Sequence, residues 1–190
     1  MALRVAAMQG HTECVTLLIP VSDPLNNDSW ALRVAAEQGH LECVNLLLPH
    51  SDAKAKNSAA LHLAAKNGHT EIVRLLLPHS DPKANDSGAL RFAAMYGRSE
   101  CVRLLIPVSN ASTDNRLALQ YAARYGHAEC VRLLLSVSGP KGNNSDTLRF
   151  TAWAGHLDVV DLLFDVSEPQ VALEALEQLQ RDLAEQNQQT

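Results

Sequence analysis

The stretch LRVAAEQGHLECVNLLLP, residues 32–49, determines the fold of this chain because it contains two helical patterns, each followed by a stop signal. The apolar residues at helical spacing are Leu32, Ala35 and Ala36, then Leu41, Val44, Leu47 and Leu48. Gly39 is expected to end the first helix, since glycine accepts the left-handed conformation at a helix C-terminus. Pro49 is expected to stop the second, because proline cannot continue the hydrogen-bond ladder. The stretch therefore predicts two short antiparallel helices joined by a tight turn.

The same pattern recurs along the chain with a fixed period of 29 residues, set by Gly10, Gly39, Gly68, Gly97, Gly126 and Gly155. It defines six copies, at about 1–28, 29–57, 58–86, 87–115, 116–144 and 145–168. One such copy cannot bury its own apolar face. A fixed period of this size therefore predicts a repeat array whose neighbouring copies stack into a solenoid.

The polar connectors between copies predict tight turns followed by helix N-caps. Each of four connectors closes with an Asx-Ser pair whose oxygens are expected to accept hydrogen bonds from the free N–H groups of the next helix. These pairs are Asp28-Ser29, Asn57-Ser58, Asp86-Ser87 and Asn144-Ser145.

One connector, in LLLPHSDPKANDSGAL (75–90), places His79, Ser80 and Asp81 side by side, the three side-chain types of a hydrolase triad. In four other copies a valine stands at the histidine position, and adjacent residues on an extended loop point apart. The sequence therefore favours a joint between repeats over a catalytic site. It contains no phosphate-binding Gly-rich loop, no HExxH and no nucleophile elbow, and we expect no enzyme activity.

Composition narrows the class of protein further. Hydrophobic residues make up 46% of the 190 residues but aromatic residues only 4%, which predicts a core of small aliphatic side chains. No apolar run reaches the length of a membrane span, and no signal peptide is visible at the N-terminus. The net charge of −5 argues against nucleic acid as the partner. We expect no membrane association and a cytoplasmic protein, or one delivered into a host cytosol if it is an effector.

The units resemble ankyrin repeats. The resemblance is carried by the pattern Leu-x-x-Ala-Ala-x-x-Gly-His-x-Glu-x-Val-x-Leu-Leu-Leu, as in LHLAAKNGHTEIVRLLL (61–77) and LQYAARYGHAECVRLLL (119–135), and it covers about 165 of the 190 residues. It implies an all-α, ankyrin-type solenoid of six helix-turn-helix repeats with short connecting loops and a C-terminal capping helix. The unit is four residues shorter than the usual 33, at the place where the family carries its projecting β-hairpin, so we expect a tight loop instead.

The Thr-Pro-Leu-His motif of the family is also altered. Arginine occupies the histidine position in four copies, as Arg4, Arg33, Arg91 and Arg149. We expect these side chains to bond neighbouring loop carbonyls or Asp residues.

Cysteine and histidine each recur at one repeat position, which favours structural roles. Ile72 and Val159 replace the cysteine in two copies, so the position suits a small apolar group, and stacked equivalents lie too far apart for disulfides. The cysteines are Cys14, Cys43, Cys101 and Cys130. Histidine, or Arg98 in the fourth copy, follows each repeat glycine and is expected to bond backbone at the interhelix turn. A ladder of histidines does not converge on one ion, so we expect no metal site and no cofactor.

The candidate binding site lies where the copies differ. Two positions vary between copies: the pair before the repeat glycine, which in the ankyrin family faces the concave groove, and a residue three positions earlier. Six of the eight aromatic residues fall at these positions in repeats four to six. Tyr, Trp and Arg are enriched at interface hot spots. We therefore predict a partner-binding surface, hereafter the aromatic surface, formed by Phe92, Met95, Tyr96, Tyr121, Arg124, Tyr125, Phe150 and Trp153. For Phe92, Tyr121 and Phe150, filling of the core between repeats is an equal alternative.

The two ends of the array differ in what is expected to shield their apolar faces from water. The first repeat has no polar capping unit before it, so either the array is truncated there or something covers this end. After the sixth repeat, residues 169–190 are expected to form a C-terminal capping helix and a frayed tail, with Phe164 beneath the helix; a dimerising helix is the alternative. Its apolar face is Leu173, Leu176, Leu179 and Leu183.

These observations favour a non-catalytic protein-protein interaction module. The concave face of repeats four to six is expected to bind another protein whose surface is apolar with some acidic character, and a monomer is favoured over a dimer. Two alternatives remain: an inhibitor or immunity-type protein that occludes a toxin or enzyme, and the recognition domain of a longer effector.

Overall fold

The computed structural model describes residues 1–109, 114–138 and 144–166, together with the single positions 173, 177 and 181. These residues contain six helix-turn-helix pairs and no strand. The first helix of each pair, hereafter an inner helix, is α1 (Ala2–Gln9), α3 (Asn26–Gln38), α5 (Ala55–Asn67), α7 (Ala84–Met95), α9 (Asp114–Arg124) or α11 (Asn144–Trp153). The second, an outer helix, is α2 (Thr12–Leu18), α4 (Leu41–Leu47), α6 (Thr70–Leu76), α8 (Ser99–Leu105), α10 (Ala128–Ser138) or α12 (Leu157–Val166).

The predicted stop signals are confirmed. Gly39 has φ 85° and ψ 18°, the left-handed conformation that lets the chain leave α3 and enter α4. Pro49 follows the end of α4 within a short 3₁₀ turn, Leu48–His50. Proline fits there because the first N–H groups of a helical turn have no partner inside it.

The core is a continuous layer of aliphatic side chains between the inner and outer helices. Leu32, Leu61 and Leu90, at one repeat position, are fully buried, and each contributes about 1.5–3 kcal/mol by leaving water. The paired alanines of the first five inner helices, such as Ala35 and Ala36, are also buried. Small side chains let neighbouring inner helices approach more closely than neighbouring outer helices do, so the array curves with the inner helices on its concave side.

The connectors differ from the predicted N-caps. Asn27, Asp28 and Ser29 have φ values of 55°, 56° and 55°, so the chain makes a left-handed turn before the regular part of α3. The same turn occurs at residues 56–58 and 85–87. A serine in this conformation does not cap its own helix, and the predicted capping role of Ser29 and Ser58 is wrong.

These serines instead bond the connector at the far end of their own repeat. Ser29 Oγ accepts a hydrogen bond from the Asp52 N–H at 2.8 Å, and Ser58 Oγ accepts one from the Asp81 N–H at 2.8 Å. Left-handed backbone costs about 1–2 kcal/mol per residue outside glycine. The bond to a connector 23 residues away offsets part of that cost, which a local pattern of residue types cannot reveal.

The His-Ser-Asp sequence is a joint, as the sequence analysis favoured. Ser80 Oγ donates to the Ala53 carbonyl of the preceding repeat at 3.4 Å, and Asp81 Oδ1 accepts from the Lys83 N–H two residues on at 3.0 Å. Ser80 is buried and its hydroxyl is directed at backbone. The connector thus positions repeats relative to one another.

The predicted arginine contacts are confirmed at two positions. Arg33 Nη2 donates to the Asn27 carbonyl at 2.9 Å, and Arg91 Nη2 donates to the Asn85 carbonyl at 2.6 Å. Both carbonyls belong to the left-handed turns, so these arginines brace them. Arg4 behaves differently, because its guanidinium lies over the Trp30 ring at 4.5 Å.

Most of the predicted C-terminal capping helix lies outside the described residues. Of its apolar face, the structure describes only Leu173, which is helical and 58% exposed. Arg181 and Glu177 form an ion pair at 3.6 Å, one helical turn apart.

Candidate partner-binding surface

One side chain at the start of an outer helix bonds the backbone of the preceding repeat. His40 Nε2 lies 3.0 Å from the Met8 carbonyl, and His127 Nε2 lies 3.0 Å from the Met95 carbonyl. A carbonyl oxygen can only accept, so Nε2 carries the proton in both. In the fourth repeat Arg98 Nε donates to the Lys66 carbonyl at 3.1 Å in the same way. We had expected a backbone bond at the interhelix turn, and the bond is to the backbone of the preceding repeat.

The bond from the His or Arg side chain to the carbonyl of the preceding repeat is hereafter called the clasp. The repeat glycines provide the space for it. A Cβ on Gly97 would lie 2.7 Å from His127 Nδ1, and one on Gly10 would lie 2.6 Å from His40 Nδ1. The ring of the clasping histidine thus lies directly against the glycine of the preceding repeat. At the last repeat glycine, Gly155, no atom of the described residues lies within 4 Å of the same point.

The clasp fixes the backbone of the residues that vary between repeats. The carbonyls it holds belong to Met8, Glu37, Lys66 and Met95, which stand two residues before each glycine. Variable side chains at these positions are therefore presented from a backbone that cannot shift easily. A rigid surface of this kind loses little conformational entropy on binding.

All residues predicted for the aromatic surface reach solvent at least in part. Met95 and Tyr121 are half-buried and Arg124 is exposed. The remaining exposed fractions are Phe92 36%, Tyr96 40%, Tyr125 43%, Phe150 50% and Trp153 60%. None of them belongs to the buried core.

Several of these rings lie against cationic or imidazole groups of neighbouring residues. Lys66 Nζ lies 5.2 Å from the centre of the Tyr96 ring, a cation–π distance that joins repeats three and four. The Arg149 guanidinium lies 5.3 Å from the centre of the Phe150 ring. The rings of His62 and Phe92 have centres 6.3 Å apart with planes at 54°. Burial lowers the pKa of His62 from its ordinary value, followed by the opposing effect of its bond with the Ala84 backbone, so this imidazole favours its neutral form.

A cleft between repeats five and six brings together three of the predicted residues. It encloses about 280 Å³ and is lined by Leu117, Gln120, Tyr121, Arg124, Thr147 and Phe150. Tyr121 and Arg124 come from α9 and Phe150 from α11, so the cleft exists only because the two repeats stack. Met95, Tyr96, Tyr125 and Trp153 do not line it.

Sequence reasoning missed Lys66, Leu117, Gln120 and Thr147 as parts of this surface. Leu117 stands four residues before Tyr121, on the same face of the inner helix, where other repeats have Trp30, Ala59 or Gly88. That difference between copies was a visible signal. For Lys66 the signal was its place two residues before Gly68, in the position that carries Arg124 in repeat five.

The cysteines pack as small apolar groups, as predicted, in three of four repeats. Cys43, Cys101 and Cys130 are 1% exposed, whereas Cys14 in the first repeat is exposed. Burial raises the pKa of Cys130 to about 11, with the nearby Glu129 carboxylate adding to the effect, so this thiol is a poor nucleophile at neutral pH. No group of three His, Cys, Asp or Glu side chains in the described part of the chain is arranged to hold a metal ion. None of the described helices has both the length and the apolar character needed to cross a membrane.

The family model "Ankyrin repeats (3 copies)" matches residues 1–58, 32–115 and 90–173 of this chain. A comparison with curated proteins finds no match. Among solved structures, the crystal structure of the human ASB11 ankyrin repeat domain is similar, with a TM-score of 0.76 and 22% sequence identity, over 88% of this chain and 84% of that one. At this identity the likeness concerns the fold alone. The three family matches overlap and together extend from residue 1 to residue 173. The chain therefore belongs to the ankyrin-repeat family.

Proposed function

We propose that the chain is a non-catalytic binding module that holds a partner protein on the concave face of repeats four to six. The observation that carries the proposal is the exposure of Tyr96, Tyr125 and Trp153 at 40%, 43% and 60%. These rings could have been buried in a chain with so few aromatic residues. Their placement in solvent on one half of one face favours a surface that a partner covers.

The partner's surface is apolar with some acidic character in this proposal. The apolar part matches the rings and the cleft, and the acidic part matches Arg124. The protein acts as a monomer, because each chain presents the complete surface. Binding requires no rearrangement of the backbone beside Tyr96, since the bond from His127 already fixes the Met95 carbonyl.

The test is an affinity pull-down from an extract of the cells that make the protein, comparing the wild type with Tyr96→Ala/Tyr125→Ala/Trp153→Ala. We expect proteins retained by the wild type to be lost from the triple variant. Helical content and melting temperature should change little, since exposed substitutions usually alter stability by less than about 0.5 kcal/mol each.

A matched control removes three exposed apolar side chains elsewhere, with Val21→Ala/Leu25→Ala/Val137→Ala, at positions 78%, 56% and 42% exposed. The control should retain the same proteins as the wild type. If the triple variant also retains them, or if its fold collapses, the aromatic surface is not a binding site and the proposal fails.

A further inference from the structure

The charges of repeats three to five are divided between the two layers of the array. In the regular part of these inner helices, at residues 58–67, 87–96 and 116–125, the charged residues are Lys66, Arg91, Arg116 and Arg124, and the acidic residues Asp86 and Asp114 stand at the connector ends of α7 and α9. The outer helices carry both signs, and their cations are paired: Arg103 lies 3.6 Å from Glu100 and 3.8 Å from Glu129. The concave side is therefore positive although the whole chain has a net charge of −5.

Two of the inner cations are available to a ligand on the concave side. Arg91 is committed to the Asn85 carbonyl at 2.6 Å, and Arg116 stands at the connector end of its helix. Lys66 lies over the Tyr96 ring, and Arg124 lines the cleft. In the described part of the chain, neither of these two forms an ion pair with a carboxylate.

Lys66 and Arg124 occupy the same repeat position, two repeats apart. Packed helices stand roughly 8–10 Å apart, so the two positions are separated by roughly 16–20 Å. An extended chain rises about 3.3 Å per residue, and about five or six residues would cross that distance. Between them lie Met95 and Tyr96, which offer apolar contact to such a chain.

The cleft beside Arg124 has the size and lining for one side chain. Its volume of about 280 Å³ lies at the lower limit of sites that hold whole small molecules, typically 300–1,000 Å³. Leu117, Tyr121 and Phe150 supply apolar walls, and Arg124 supplies a cation at the same cleft. An apolar side chain with a carboxylate next to it along the chain satisfies both.

We propose that the partner segment is an extended acidic peptide that runs across the inner helices of repeats three to five, places an apolar anchor in the cleft, and pairs its carboxylates with Lys66 and Arg124. This inference rests on the proposed function and names the chemistry of the segment that the concave face takes. It also extends the binding site into repeat three.

Single-stranded nucleic acid also binds grooves that combine cations with aromatic rings. The structure favours a peptide, because among the described residues Lys66 and Arg124 are the cations placed at the groove, and their separation spans several nucleotides. Nucleic-acid affinity depends on neutralising many phosphates, and the negative charge of the remaining chain opposes it.

The direct test is fluorescence anisotropy with a labelled eleven-residue probe that has a central Phe and five Asp or Glu residues on each side. Two companion probes replace every acid by its amide or replace the Phe by Ser. We expect the amide probe to bind at least about tenfold more weakly than the acidic probe, and binding of the acidic probe to weaken between about 50 and about 300 mM NaCl because exposed charges are screened. The Ser probe should also bind more weakly, since it lacks the anchor.

The variants Lys66→Gln and Arg124→Gln should each weaken binding of the acidic probe by about two- to fivefold, the range of exposed ion pairs. Arg74→Gln is the matched control, because it removes an equally exposed arginine from outer helix α6, paired with Glu71 at 3.6 Å. The control should bind the probe as the wild type does.

The inference is overturned if the acidic probe binds no better than its amide counterpart, if no binding occurs up to about 1 mM protein, or if the control variant weakens binding as much as Arg124→Gln does. A labelled oligothymidine that binds more tightly than the acidic probe, and is lost with the same variants, would assign the groove to nucleic acid instead. Failure of these probe experiments leaves the pull-down unaffected. Loss of captured proteins from the triple aromatic variant without any dependence on Lys66 or Arg124 would therefore keep the proposed function and remove this inference alone.

Discussion

Repeat three uses the position before its glycine differently from repeat five. In repeat three, Asn67 turns towards the preceding repeat, and its Nδ2 donates to the Glu37 carbonyl at 2.9 Å. His69 Nε2 donates to the same carbonyl at 3.0 Å, so the junction has two side-chain donors. In repeat five, Tyr125 takes the place of Asn67 and is 43% exposed, and His127 alone bonds the Met95 carbonyl.

The difference shows that a single clasp is enough to hold a junction. Once the histidine supplies the bond between repeats, the residue two positions before it is free to face solvent. In repeat three the polar Asn67 adds a bond to the stack, whereas in repeat five Tyr125 faces solvent, where the proposed partner would cover it. The histidine bond between repeats is therefore common to repeats three and five. The repeats differ in whether the residue two positions before that histidine bonds the preceding repeat or faces solvent.

The largest loss of stability should come from replacing the repeat glycines, because both halves of the array need them equally. Gly39→Ala and Gly97→Ala would each force alanine into a left-handed backbone, at φ 85° and 69°, and place its Cβ within 2.5 Å and 2.7 Å of the next histidine ring. Strain of about 1–2 kcal/mol and the steric clash together should lower the free energy of unfolding by about 2–4 kcal/mol in either half. Urea unfolding followed by circular dichroism measures the change.

Gly155→Ala separates the two contributions. Its φ is 79°, but none of the described residues has an atom within 4 Å of the added Cβ, so only the strain of about 1–2 kcal/mol should remain. Equal losses at Gly97 and Gly155 would mean that contact with the clasping histidine contributes nothing, and the framework would then differ from the one described.

Replacing a clasping histidine should lower stability by less than the glycine substitutions do, and the loss should differ between repeats three and five. His127→Ala leaves the Met95 carbonyl without its side-chain donor and should lower stability by about 1–1.5 kcal/mol. His69→Ala should cost about 0.5 kcal/mol, because Asn67 still donates to the Glu37 carbonyl. Melting curves of the two variants measure the difference.

His11→Ala is the control for the clasp variants. His11 has the same repeat position but is exposed, and its ring makes no hydrogen bond within the described residues, so its replacement should change stability by less than about 0.5 kcal/mol. If His69→Ala is as costly as His127→Ala, the second donor is not a substitute for the first and the comparison between the halves loses its basis.

Sequence alone was enough for the parts of the fold that depend on local periodicity. The helical spacing of the leucines, the left-handed Gly39 and the stop at Pro49 follow from the conformations that single residue types allow. The exposure of Tyr96, Tyr125 and Trp153 also followed, because polar residues hold the same positions in repeats two and three.

Contacts between residues far apart in the sequence were beyond the reach of local patterns. His40 bonds a carbonyl 32 residues earlier, and Ser29 bonds an N–H 23 residues later. A serine at position 29 does not indicate a left-handed turn, since residues other than glycine disfavour that conformation. The cleft was missed for the same reason: Tyr121 and Phe150 become neighbours only when two inner helices stack.

The smallest effect tests the two uses of the variable position directly. Asn67→Ala removes one of two donors to the Glu37 carbonyl and should lower stability by about 0.5 kcal/mol without changing the proteins retained in a pull-down. Tyr125→Ala should change stability by less than about 0.5 kcal/mol yet reduce partner capture, because its ring is exposed and no bond between repeats depends on it. Paired melting curves and pull-downs of the two variants measure both quantities. The two variants thus separate effects that share one repeat position: the first acts on the stack and the second on the surface. Equal loss of captured proteins in both would mean that the position faces the partner in repeat three as well, and that the polar half of the array is part of the binding site.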